Sequence, residues 1–97
     1  DPSGTAMFVY SIQRGVELGL LKAKEYTPVA YRGYQSLFPF IQVNDRGLLD
    51  VIGACDGVVI KKNFIEYVTV PKILNAKEAV AGILWAAVIM ETEQLKK

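Results

Sequence analysis

Ala6, Val9, Tyr10, Gln13, Val16 and Leu20 recur at three- and four-residue intervals, the spacing of one helical face, so the chain is predicted to open with a helix running to about Leu21. Asp1-Pro2-Ser3 supplies cap and first-turn chemistry ahead of it. Phe8 and Ile12 carry apolar surface onto a second face, and Gly15 and Gly19, four apart, align where another backbone could come close. A second helix is predicted from Thr27-Pro28, an N-cap followed by proline at the first helical position, with Ala30, Tyr34, Leu37 and Ile41 as its stripe. Pro39 removes a backbone hydrogen bond and clashes with the turn before it. That helix should therefore kink or stop near Phe38, with Phe38-Pro39-Phe40 packed at the bend.

Beyond it the period changes. Asn44-Asp45-Arg46-Gly47 is a turn cluster, and Leu48 to Ile52 is rich in strand formers. Asp56-Gly57 precedes a second such run, Val58-Val59-Ile60, so a short hairpin or irregular loop is expected here. Phe64 to Val70 is β-rich but ends at Pro71, which argues for an extended connection more than a helix. Asn75, with Glu78 three residues on, reads as a reciprocal capping box opening a last helix. From Ala79 to Met90 that helix is apolar all round, which only an element enclosed by others tolerates, and three helices cannot easily enclose so much surface.

Composition sharpens this. In 97 residues, 52% are hydrophobic and 22% charged, an apolar share suited to the interior of a larger assembly or to an oligomer interface. The net charge of +1 comes from 11 basic and 10 acidic residues, scattered rather than blocked, so no footprint for nucleic acid or anionic lipid is present. With no histidine, the Ser-His-Asp and Cys-His nucleophile systems and the common metal clusters are excluded. Cys55, the single cysteine, cannot form an internal disulfide and has no partner set for zinc; it reads as a partly buried thiol. Ala79 to Met90 falls short of the roughly 20 residues that cross a bilayer, so no membrane role is expected. No signal peptide pattern is visible, which leaves cytoplasm and periplasm both open.

Three residue groups could carry chemistry. Asp50 and Asp56 could approach across a hairpin as paired carboxylates, although turn formation explains Asp56 before Gly57, and Asp45, more simply. Ser3-Gly4-Thr5 offers two hydroxyls, an open glycine and backbone amides at the positive end of a helix, suited to a carboxylate; capping alone also explains Ser3. Trp85, Tyr10, Tyr31 and Tyr34 could stack on a sugar but at helical spacing suit a core, and Lys61-Lys62 is most simply a solvated pair.

Asp1-Pro2-Ser3-Gly4-Thr5-Ala6-Met7-Phe8 followed by the run from Tyr10 to Leu21 resembles a signature of the unsaturated rhamnogalacturonyl and glucuronyl hydrolases, glycoside hydrolase families 105 and 88. The resemblance continues through Tyr26 to Ala30, Asp45 to Leu48, Gly53 to Gly57 and the helix holding Trp85 to Glu91. It implies an all-α fold in which residues 1–97 form a single C-terminal segment, roughly the last quarter, of an (α/α)6 toroid, with a short β-hairpin or irregular loop.

The implied activity is release of an unsaturated uronyl residue from pectin-type (rhamnogalacturonan) oligosaccharides without a cofactor. An aspartic acid protonates the ring double bond, water adds, and the ring opens. That aspartate matches no position of this chain, so no catalytic residue is expected here and the isolated chain should be inactive. Ser3, Gly4 and Thr5 match the family's run at a helix start near the substrate pocket, where some members contact the uronate carboxylate. Two departures stand out: Pro39 interrupts a helix the family usually keeps whole, and Asn75-Ala76-Lys77-Glu78 replaces the usual Asn-Asp-Pro opening. The rival expectation is a non-catalytic helical module that forms a homo-oligomer through exposed apolar helix faces, because such surface costs about 25 cal/mol per Å² in water.

Overall fold

In the computed structural model, which describes residues 1–55, 62–69 and 71–96, the chain opens with helix α1, Pro2–Glu17. Asp1 caps it: its Oδ1 accepts from both the Ser3 N–H (2.8 Å) and the Ser3 hydroxyl (2.7 Å). The helix ends a turn earlier than its apolar spacing implies. Gly19 turns left-handed at φ +78°, Leu20 N–H bonds Gly15 O and Gly19 N–H bonds Val16 O, the 6→1 and 5→2 pair of a Schellman stop. Among the described residues no second backbone lies within 4 Å of a Cβ on either glycine; a Cβ on Gly15 would meet the Leu21 side chain, which folds back onto it, at 2.9 Å.

Helix α2, Ala23–Leu37, begins four residues before the predicted Thr27 cap, with Pro28 inside it. Thr27 therefore lies a turn inside the helix, and its hydroxyl donates to Gln13 Oε1 (3.1 Å) in the buried seam between α1 and α2. Pro39 acts as expected: α2 stops at Leu37 and Phe38–Phe40 tighten into a 3-10 turn, where Phe38 meets Tyr34 edge-on at 5.1 Å. Ile41 then leaves the helical stripe and starts strand β1, Ile41–Val43, which pairs antiparallel with β2, Leu49–Val51. The described hairpin therefore joins β2 to the segment before the Asn44–Gly47 turn; the run Val58-Val59-Ile60 lies outside the described residues. Asn44 builds that turn, its Oδ1 accepting from the Arg46 and Leu48 amides.

Strand β3, Ala54–Cys55, pairs antiparallel with β4, Lys72–Ile73. Between them the segment expected to be extended contains a short helix, α3, Phe64–Val68, because Asn63 Oδ1 accepts the Glu66 amide (3.0 Å) and supplies the cap that its β-rich composition hides. The last helix, α4, is Lys77–Leu95, with Ala76 and not Asn75 at its cap and no side-chain cap bond. Asn75 is held elsewhere. At φ +55° its N–H bonds Val51 O (2.8 Å), its Oδ1 accepts the Val51 N–H (2.6 Å) and its Nδ2 donates to Asp50 (3.0 Å), so neither half of the capping box can form. A core of Ala6, Val9, Leu37, Ile83, Ala86 and Met90 joins α1, α2 and α4.

Candidate functional site

Helices α1 and α4 run parallel. Gly82 near the start of α4 lies against Ala6 and the Ser3 carbonyl, while Lys96 reaches Glu17 (4.0 Å) at the far ends. Both positive helix termini therefore point to one end of the molecule. The strands close over that same end: Cys55 N–H donates to Asp1 Oδ2 (3.1 Å), fastening β3 to the start of α1, and Asn75 fastens β2 to the start of α4. This end is the mouth.

Ser3, Gly4 and Thr5 occupy the first turn of α1 there, each partly buried. Ser3 commits its amide and its hydroxyl proton to Asp1. Gly4 is the third residue of the helix, so its N–H has no acceptor within the helix, and a Cβ placed on it would meet nothing within 4 Å. The turn thus leaves one amide, Gly4 N–H, without a helical acceptor, and open space where a Gly4 side chain would stand. Within a turn of Thr5 begins a groove of about 330 Å³ lined by Met7, Tyr10, Ser11, Gly82 and Trp85. Trp85 stands edge-on to Tyr10 at 5.3 Å and is 58% exposed, so its indole flanks the groove instead of filling a core. Tyr34 is buried and Tyr31 half-buried, as core residues are.

Asp50 has a structural task. Its Oδ1 accepts from the side-chain amides of Asn44 (3.3 Å) and Asn75 (3.0 Å), tying the turn and the approach to α4 together. Asp56, its proposed partner, lies outside the described residues, as does Lys61; Lys62 is exposed. Asp1-Pro2 signals the helix start, but neither the clamp from Asp1 to Cys55 nor that from Asn75 to Val51 is visible in the sequence. Among the described residues no group of three or more His, Cys, Asp or Glu side chains could hold a metal ion, and no helix is long and apolar enough to cross a membrane.

The sequence profile described as Glycosyl Hydrolase Family 88 matches residues 1–94. The chain belongs to that family. A solved structure of a C. acetobutylicum ATCC 824 glycoside hydrolase from family 105 is similar to this family 88 chain at 26% identity with a TM-score of 0.84. The likeness covers 95% of this chain but only 27% of the other, so the chain spans about a quarter of that relative's length. No curated protein matches significantly. The fold class is thereby that of a helical sector of an (α/α)6 toroid carrying a short β-hairpin.

Proposed function

We propose that this family 88 segment forms one wall and part of the mouth of a pocket that takes an unsaturated uronyl residue at the end of a pectin-type oligosaccharide. The observation that supports this is the first turn of α1, where the Gly4 amide has no helical acceptor at a positive helix end and open space stands where a Gly4 side chain would be. A uronate carboxylate there accepts from the Gly4 N–H and the Thr5 hydroxyl. Asp1 already holds the Ser3 proton, so Ser3 positions more than it donates. The groove past Met7 and Trp85 offers the sugar ring an apolar flank.

The chemistry itself belongs to residues outside this chain. A carboxylic acid protonates the ring double bond, water adds to the resulting cation, and the hydrated sugar opens and leaves. No aspartate here matches that role, so the 97-residue chain binds without turning over.

The test is an amide-resolved NMR titration with an unsaturated galacturonyl-rhamnose disaccharide and, in parallel, its uronate methyl ester. The Gly4 amide should move with the acid and not with the ester. Unmoved Ser3, Gly4 and Thr5 amides at millimolar acid overturn the reading.

A further inference from the structure

A second cleft at the mouth end, of about 530 Å³, is lined by polar groups that the first turn of α1 leaves unused: Gln42, Asn44, Asp45, Arg46, Asp50 and Asn75. Gln42 stands directly opposite Asp50 in the register of β1 with β2, so both side chains project from one face of the hairpin. Three of the six are already fixed. Asn44 Oδ1 accepts from the Arg46 and Leu48 amides, Asn75 Oδ1 accepts from the Val51 N–H, and Asp50 Oδ1 accepts from both asparagine side chains. These bonds leave over Asp50 Oδ2, an acceptor without a donor among the described residues, and the second N–H of each asparagine amide. A hydroxyl both donates and accepts. Two neighbouring hydroxyls on one ring would therefore satisfy the set, giving a proton to Asp50 Oδ2 and accepting from the amides. Because the side chains are held before any ligand arrives, little rotamer freedom is lost on binding.

We propose that this cleft takes the sugar that follows the terminal uronyl residue, and that it selects a neutral ring with adjacent hydroxyls, such as rhamnose, over a uronate or a sulfated sugar. The inference rests on the sugar-site reading above. Leu74 and Asn75 follow directly on β4, which pairs with β3, and Cys55 of β3 is bonded to Asp1 at the start of α1. At ordinary strand spacing and rise, Leu74 lies roughly 10 Å from Cys55, a separation along the mouth that an oligosaccharide spans unbroken. Charge decides between the ring types. Asp45 and Asp50 against Arg46 leave the cleft net negative, so an anionic ring meets a repulsion that a neutral one does not. Leu74, 60% exposed, supplies an apolar edge for the methyl group of a rhamnose ring.

The side-chain amide resonances of Asn44 and Asn75 are followed by NMR as methyl α-rhamnopyranoside is added to tens of millimolar. Both should shift and saturate. The same rhamnoside with its cis hydroxyls tied in an isopropylidene acetal should leave them still, as should methyl galactopyranosiduronate. Asp50→Asn keeps an oxygen for both clamps and removes the free acceptor, so it should weaken binding at least about tenfold. Gln42→Ala lies outside the clamps and should weaken binding about threefold or more, which keeps the test open if Asp50→Asn does not fold. Unmoved amides, equal shifts with the acetal or the uronate, or undiminished binding in a folded variant overturn the proposal. The rhamnoside carries no carboxylate, so its titration can succeed while that of the uronate at Gly4 fails, and the reverse; the two readings fall separately.

Discussion

Asn75 joins three effects in one residue, and its replacement separates them. Asn75→Ala leaves the buried Val51 N–H without its 2.6 Å acceptor, a loss of about 1–3 kcal/mol. It also places an ordinary Cβ residue at φ +55°, which adds about 1 kcal/mol. The bond to Asp50 is exposed and adds little. Asn75→Ala should therefore destabilise by about 2–4 kcal/mol, while Asn75→Gly, free of the backbone strain, should cost about 1–3 kcal/mol. For a chain of this length the alanine variant should melt about 10–20 °C lower. Urea unfolding followed by far-UV circular dichroism and Trp85 fluorescence gives the free energies, and a thermal melt gives the midpoint. A glycine variant as stable as the parent would refute the clamp on β2, and identical losses for glycine and alanine would refute the left-handed backbone.

Two further outcomes follow from buried polar groups. Gln13 is fully buried with its Nε2 unbonded and its Oε1 holding Thr27. Thr27→Val and Gln13→Leu should each destabilise by about 1–3 kcal/mol, whereas the double variant should recover about 1 kcal/mol or more of their sum in a double-mutant cycle; strict additivity would count against the bond. Burial first, and then the neighbouring Glu91 carboxylate that accepts its hydrogen bond, raise the Tyr34 phenol above its usual value of 10.0. Because the folded value is the higher one, the contribution is complete below about pH 10 and disappears as pH climbs through the folded value. Tyr34→Phe should flatten this alkaline loss in pH-dependent urea midpoints; an unchanged slope would contradict it.

The helices were legible because their signals are local. Ala6, Val9 and Gln13 mark the buried face of α1, Ala30, Tyr34 and Leu37 that of α2, and Pro39 ends α2 where ring sterics require. What escaped was decided by distant partners. Thr27 reads as a cap, but α2 starts four residues earlier and its hydroxyl turns to Gln13, fourteen residues away; Asn75 reads as a cap until Val51 takes both its backbone N–H and its side-chain oxygen. Gly19 has the spacing of a packing glycine and the conformation of a helix stop, a distinction that composition does not hold. At the mouth, Ser3, Gly4 and Thr5 could be picked out as a helix start, but the fastening of Asp1 to Cys55 spans 54 residues and leaves no periodic trace.

The parallel setting of α1 and α4 also fixes an order of assembly. Antiparallel α1 and α2 are joined by the five residues 18–22, whereas α4 reaches α1 only after the intervening stretch 18–76 has been brought round. Closing the longer loop costs about 2 kcal/mol more in chain entropy, and no packing offsets it until α4 lands. The α1–α2 hairpin is therefore expected to form early and α4 to seat later, which stopped-flow folding of Thr27→Val against a variant at the α1–α4 contact would check. The strands fastened to the helix starts by Asp1 and Asn75 shorten the open part of that loop, so these clamps should also speed the seating of α4.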